Sequence, residues 1–246
     1  MIWYSYKGVP YTGNAPAYYD LSSDQWFAGL KKNMPQIREL TLQYLQQQGI
    51  EVDDYFNQEL VSGKKPWKIS PFLFWGKRSE QNIEKGKELF AMFESIPSLT
   101  GLAISILPPS TSVKPHYGDT DAVYRIHIPI KIPADLPVCG LKVDGIEKSW
   151  QSDEPLVFCD AHLHEAWNHS SEVRIVVIAD VVRPEFYTNT KNICSNVLSL
   201  LELQKLMAKF PALNALPWFV KGGLRFLIKT LILLRKQTPP APAFSV

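Results

Sequence analysis

The feature that most constrains this chain is a change of rhythm at Thr100. Beyond it, short runs dense in β-branched and aliphatic residues (LAISIL, AVYRIHIPIKI, GLKV, PLVFC, VRIVVIADVV) are separated by Pro, Gly and Asp. Runs of this length and spacing predict several short strands arranged as a sandwich or jelly-roll barrel. Strand geometry then assigns faces. Residues two apart leave the same side, so Arg125 and His127 point together. His162 and His164 share a face if their strand reaches that far. An Arg or His turned into a narrow barrel is costly unless paired, and a bound anion or metal supplies the pairing.

All five histidines fall between His116 and Arg174. Histidine is the commonest metal ligand, so its confinement to this stretch predicts a metal site inside the barrel, with cationic residues placed to hold a carboxylate. His169 lies in a polar NHSSE turn and is expected at the surface.

Upstream, Ser22 with Gln25 fits a capping box. Trp26, Leu30, Met34, Ile37, Leu40 and Tyr44 then recur at helical steps, predicting a helix that ends near Gly49. Trp67, Phe72, Phe74 and Trp75 alternate with smaller residues as a strand, lining a pocket or forming ordinary core. A second helix is predicted from Ser79 and stopped by Pro97. After Pro184 the strand pattern ends, and helices are predicted over 192–209 and 218–236. From Leu203 onward there is no Asp or Glu. Lys221, Arg225 and Lys229 form one helical stripe opposite Phe219, Phe226, Leu227 and Leu231. Such a helix lies on an anionic membrane, or packs on the barrel or a partner subunit with its cations in water.

Of the 246 residues, 46% are hydrophobic and 20% charged, which excludes global disorder; the net charge of +2 points to no partner class. Cations cluster only in the final apolar helix, so nucleic-acid binding is not expected. Cys139, Cys159 and Cys194 lack metal or redox spacing and read as buried small hydrophobes of a reducing compartment. No secretory leader is visible and no apolar run reaches the roughly 20 residues that span a bilayer. The expected location is cytoplasmic, with peripheral membrane contact through 218–236. The sequence contains no G-x-G-x-x-G or P-loop pattern.

With these residues in view, the segment from about Ser105 to Glu185 resembles the aspartyl/asparaginyl β-hydroxylase family. The matching pieces are PH-x-G at Pro115–Gly118 before YRIHIPI, then HEAWN from His164, then RIVVIADVVRPEF from Arg174. The resemblance implies a mainly β protein with flanking helices, whose core is a double-stranded β-helix of jelly-roll, cupin-like form. It also implies an Fe(II)- and 2-oxoglutarate-dependent dioxygenase that uses O2 to hydroxylate an unactivated C–H bond. By the same matching, His116 and His164 are the catalytic metal ligands. Most such enzymes complete a facial triad with a carboxylate two residues after the first histidine; here that position is Gly118. Asp119 is the alternative third or water-mediated ligand, and His162 the alternative to His164. Arg174, assisted by Ser105, is expected to hold the distal carboxylate of 2-oxoglutarate, and Arg125 with His127 the carboxylate nearer the iron. The rival for Arg174 is a core ion pair with Asp160 or Asp180.

The expected organisation is an oxygenase domain over 1–186, helical over 1–98 and with a β-helix core over 99–186, followed by a basic amphipathic helical extension over 187–246. Expected substrates are a small molecule or amino acid, a peptidyl residue, or a lipid-linked acyl group. The competing reading is a non-catalytic, cupin-like metal- or anion-binding sensor.

Overall fold

The computed structural model describes residues 1–5, 9–55, 57–63 and 65–234. Its first helices are α1 (Gln25–Lys32) and α2 (Met34–Leu45). A single helix is expected here; the chain breaks at Asn33 because Pro35, in the first turn of α2, has no N–H to continue a preceding turn. The N-cap is Asp24, and no side chain caps the helix, so the Ser22 capping box does not form.

Strands β1 (Asp53–Asp54), β2 (Val61–Ser62), β3 (Lys68–Phe74) and β4 (Lys77–Arg78) follow, then α3 (Glu80–Lys85) and α4 (Lys87–Ala91). These two replace the single helix expected from Ser79. They meet at Gly86, where a Cβ would lie 2.6 Å from the Phe72 ring. The strand-rich region comprises β5 (Leu99–Leu107), β6 (Thr111–His116), β7 (Val123–Lys131), β8 (Cys139–Val143), β9 (Ile146–Lys148), β10 (Leu156–Phe158), β11 (His164–Asn168) and β12 (Arg174–Val182).

These strands form two antiparallel sheets. One runs β1-β3-β5-β12-β7-β10 with β4 beside β3, the other β2-β6-β11-β8-β9. The chain passes repeatedly between them, which is the double-stranded β-helix with flanking helices expected from the sequence. Period-2 alternation splits the central strands. Ile104, Ile126, Ile128, Val177 and Ala179 face Ile37 and Phe93 of the helical layer. Each of these buried Ile, Val and Phe side chains contributes about 1.5–3 kcal/mol of transfer free energy. The opposite face of the same strands turns toward the second sheet, where Phe158 and Val176 meet Leu141 and Ala166.

Helix α5 (Thr190–Lys209) shares this body's core, burying Ile193, Val197 and Leu198 against Trp75, Ala122 and Val182. Helix α6 (Trp218–Leu234) packs on α5. Its orientation departs from the expected solvated stripe at Arg225, whereas Lys221 stays at the surface. Arg225 donates to Ser199 Oγ and Asn196 Oδ1 of α5, each at 3.3 Å, and Lys221 donates to the Asn214 carbonyl at 2.9 Å. The apolar side is the one left exposed. Arg235 and Lys236, the end of the expected final helix, lie outside the described residues. Among the described residues no helix is long and apolar enough to cross a membrane. All three cysteines are free and buried, as expected, and burial pushes the Cys194 thiol up to about 12.

Candidate active site

The end of β6 and the start of β11 lie side by side, and the register sets His116 directly opposite His164. Their ring centroids are 4.1 Å apart. Each ring is held from behind. His116 Nδ1 lies 2.8 Å from the Lys114 carbonyl and His164 Nδ1 lies 2.9 Å from the His162 carbonyl. A carbonyl only accepts, so Nδ1 carries the proton in both and Nε2 keeps its lone pair. This is how metal-ligating imidazoles are commonly oriented. Burial lowers both pKa values, His164 well below the usual range, so both rings are neutral at physiological pH.

The other histidines separate from this pair. β11 begins at His164, so His162 is outside the strand and does not share its face. His162 Nε2 lies 2.7 Å from the Ala15 carbonyl, and its ring packs edge-on against Tyr11 at 4.9 Å. His169 is exposed and contacts Ser112 Oγ at 3.1 Å.

Behind the pair, Gly118 fits tightly. Its N–H donates to the Asp160 carbonyl at 2.7 Å. A Cβ at 118 would stand 2.2 Å from Asp160 Oδ2. The carboxylate that most 2-oxoglutarate oxygenases carry at the corresponding position therefore has no space here, because a carboxylate from another strand connection already fills it. Asp119 accepts the Trp75 indole N–H at 3.1 Å. Among the described residues no three His, Cys, Asp or Glu side chains gather around a common metal position.

Arg125 also departs from expectation. It forms a two-pronged pair with Asp180, Nε to Oδ1 and Nη2 to Oδ2 both at 2.8 Å, and its Nη1 lies 2.8 Å from Asp160 Oδ2. The contact with Asp160 is an ion pair without good hydrogen-bond angles, since neither Asp160 oxygen has a hydrogen-bond partner among the described residues. A guanidinium flanked by two carboxylates is not a free cation waiting for a cosubstrate. Burial alone would lower the Arg125 pKa, but Asp160 and Asp180 raise it well above the usual value. The Asp160 carboxyl is pushed up by burial, against the pull of Arg125 and with Asp180 and Asp119 adding to the rise. Arg125→Met should cost about 3–5 kcal/mol, since it strands two buried carboxylates. The drop would be read as a lower midpoint in denaturant, and an unchanged midpoint would contradict the ion-pair role.

The free cation is Arg174 instead. It opens β12, is 2% exposed, and its Nε and Nη1 have no partner among the described residues. The rival ion pair with Asp160 or Asp180 is not formed, because Arg125 takes both. The Arg174 guanidinium lies over the Trp150 ring, 5.1 Å from its centroid, and burial pushes its pKa down to about 10. His127 stacks near the same indole, at 6.0 Å, and its buried Nδ1 is also unpartnered among the described residues. Burial, then the nearby Arg174, holds His127 well below its usual pKa. Ser105 Oγ accepts the Trp67 indole N–H at 2.9 Å, which leaves its own hydroxyl hydrogen available to donate.

These groups share one cavity of about 450 Å³, lined by both ligand-oriented histidines, by Arg174, His127 and Ser105, and by an apolar wall that includes Leu73, Leu102 and Leu201. The aromatic stretch around β3 divides: Trp67, Phe74 and Trp75 line the cavity, whereas Phe72 packs on Tyr44 and Phe90. Sequence reasoning missed Trp150, which lies between the strand runs with no periodic neighbour to mark it. It also missed the joint capture of Arg125. Asp180 shares the strand parity of Arg174, a signal that was present.

Two neutral imidazoles with open Nε2 atoms, beside an unneutralised buried arginine, suit a metal that is also chelated by an anionic small molecule. A family model described as Aspartyl/Asparaginyl beta-hydroxylase matches residues 31–184. The ornithine lipid ester-linked acyl 2-hydroxylase of Rhizobium tropici is 34% identical over 175 residues, covering 70% of this chain and 62% of that protein. The aspartyl/asparaginyl beta-hydroxylase of Homo sapiens is 31% identical over 134 residues, covering 52% of this chain and 17% of its own length. The chain thus spans less than two thirds of either relative. A crystal structure of an oxidoreductase of the 2OG-Fe(II) oxygenase family from Burkholderia pseudomallei aligns with a TM-score of 0.41 at 10% identity, over 68% of this chain and 95% of that one. The family match takes in β5 through β12 with both histidines and Arg174, and on that basis the chain belongs to the aspartyl/asparaginyl beta-hydroxylase family.

Proposed function

We propose that this protein is an Fe(II)- and 2-oxoglutarate-dependent dioxygenase that hydroxylates an unactivated C–H bond. The observation that carries this reading is Arg174, a buried guanidinium with no anion of its own among the described residues, in the cavity that presents the His116 and His164 Nε2 atoms. An uncompensated buried charge is costly, and a dicarboxylate cosubstrate is the ligand that would neutralise it. Fe(II) held by the two histidines, together with 2-oxoglutarate and O2, would supply the oxidative decarboxylation to succinate and CO2 that drives hydroxylation.

The chain's own residues have narrower tasks. His116 and His164 hold the metal through Nε2, each ring fixed by its Nδ1–H bond to a backbone carbonyl. Arg174 grips the distal carboxylate as a charge-assisted fork, and the Ser105 hydroxyl donates beside it. His127, kept neutral, offers Nδ1 to the carboxylate nearer the metal. Arg125 positions Asp160 behind Gly118 rather than binding the cosubstrate. The apolar wall excludes water, which strengthens every ionic contact within. Among the described residues no third His, Cys, Asp or Glu side chain joins the two histidines, so the other positions of a bound metal would be left to cosubstrate, O2 and water.

The substrate class favoured is a lipid-linked acyl group. Support comes from the apolar wall of the cavity around Leu73, Leu102 and Leu201, and from the R. tropici relative, whose name specifies an acyl group on a lipid. A peptidyl residue is the other outcome, after the name of the human relative.

The test is an anaerobic titration with Fe(II) and 2-oxoglutarate, followed in the visible for a metal-to-ligand charge-transfer band, then O2 and a succinate assay. The band should form in the wild type and in His162→Asn, and vanish in His116→Ala and His164→Ala. Succinate release stimulated by an acylated lipid but not by an Asp- or Asn-containing peptide would assign the substrate class. A folded wild type with neither band nor succinate would overturn the oxygenase and leave a cupin-like anion-binding protein.

A further inference from the structure

Helix α6 is the one element whose apolar side finds no cover among the described residues. Trp218 is 78% exposed, Phe226 72% and Leu234 75%, and Phe219, Leu227 and Leu231 are exposed with them. On a helical projection Phe219, Phe226, Leu227, Leu231 and Leu234 fall on one side, with Trp218 in the first turn beside Lys229. The opposite side, with Leu224, Ile228 and Ile232, turns to α5 and is only partly buried. An exposed stripe of this kind on an otherwise well-buried body marks an interaction surface.

We propose that this face of α6 seats the protein on an anionic lipid bilayer, lying in the plane of the interface. Charge selects that occupant. From Leu203 to the end of the chain there are Lys and Arg residues and no Asp or Glu. Two copies meeting through α6 would bring two segments of like charge together with no acidic residue of either segment to offset them, whereas an anionic headgroup layer would attract the segment as a whole. The contact itself is made by the apolar side, since Arg225 and Lys221 are engaged with α5 and Asn214. Length selects the orientation. Seventeen residues of helix extend about 26 Å, short of the roughly 30 Å hydrocarbon core, and Lys221, Arg225 and Lys229 interrupt the run. Trp218 and Phe219 at the helix start suit the headgroup boundary, where aromatic side chains concentrate.

The seat adjoins the cavity. Leu201 of α5 lines the cavity, and both Leu201 and Ile232 of α6 pack on the cluster around Trp75 and Val197. A bilayer against α6 therefore lies on the side where the cavity wall reaches α5. The docking proposal does not depend on the reaction proposed above, and its test uses neither metal nor cosubstrate.

The experiment is flotation of the full chain with vesicles of phosphatidylcholine plus phosphatidylglycerol, against phosphatidylcholine alone. Two double variants accompany it, Phe226→Glu with Leu227→Glu, and Phe226→Gln with Leu227→Gln. The wild type should float with the anionic vesicles and far less with the neutral ones. Both variants should keep the wild-type melting temperature, since the replaced side chains touch solvent, and their partitioning should fall at least about tenfold. The glutamine pair covers the case in which the charged pair disturbs the helix. Wild type that stays out of anionic vesicles, or variants that float as well as wild type, would overturn the proposal. So would a wild-type dimer that the variants convert to monomer with no vesicle binding, which would assign the face to a second copy.

Discussion

Arg174→Met should raise the melting temperature of the ligand-free protein and abolish its response to 2-oxoglutarate. Opposite signs from one substitution are expected because the guanidinium is buried without an anion among the described residues. Replacing buried charge by an apolar side chain of similar length is neutral to stabilising by about 1–4 kcal/mol. The stack on Trp150 offsets some of that gain, at about 0.5–2 kcal/mol. The net is a rise of a few degrees. Ligand binding moves the other way. With a redox-inert divalent metal present, 2-oxoglutarate at a hundred times its Kd stabilises the wild type by about 2.7 kcal/mol, roughly 5–10 °C for a chain of this size. Losing the buried partner of its carboxylate costs about 2–5 kcal/mol of binding, so the variant should show almost none of this shift. Differential scanning fluorimetry reads both effects. A variant that melts well below wild type yet keeps the 2-oxoglutarate shift would make Arg174 a structural cation and remove the main support for the proposed reaction.

Gly118→Asp should fail to rebuild a three-ligand metal site and should instead destabilise the fold severely. Sequence logic alone suggests the opposite, since a carboxylate at this position completes the usual facial triad. Space decides against it. The new Cβ would stand 2.2 Å from Asp160 Oδ2 and 2.8 Å from the Asp160 carbonyl. Asp160 cannot swing aside, because its side chain is 1% exposed and paired with Arg125. Overpacking and a further buried carboxylate together should cost at least about 3 kcal/mol, a fall in melting temperature of at least about 6 °C. Gly118→Ala, with the clash but no charge, should cost less, about 1–3 kcal/mol. Pairing Gly118→Asp with Asp160→Gly should recover most of the loss, a coupling measurable in a double-mutant cycle. If the single variant melts like wild type, or the pair melts no higher than the single, Asp160 does not occupy the space in question.

The elements of this fold visible in the sequence are those set by local periodicity. Runs such as Val123–Lys131 and Arg174–Val182 are dense enough in β-branched and aliphatic residues to fix strand type, and residue parity fixes the shared face of Arg125 and His127. Helix boundaries depart from the periodicity where one residue outweighs a pattern, at Pro35 and Gly86. The Asn-Met-Pro sequence at 33–35 is a readable break signal. The histidine pair is legible through its motif, and its orientation through backbone carbonyls is not. Arg125 shows the limit most clearly. Its cavity-facing position follows from parity, but its capture depends on the β7–β12 register, which sets Asp180 opposite it, and on a loop that brings in Asp160. Register is a tertiary property, and no local pattern announces it. The same holds for α6, whose wheel shows two faces without saying which one turns inward. Asn196 and Ser199 on α5 supply that answer.

The placement of His116 and His164 on facing strands also bears on how the proposed metal site would be loaded. The two rings are far apart in the chain and become neighbours only when β6 and β11 zip together in the right register. An unfinished or slipped sheet presents single histidines, which are poor chelators. Loading of the proposed metal site would thereby be tied to completed assembly of the two strands.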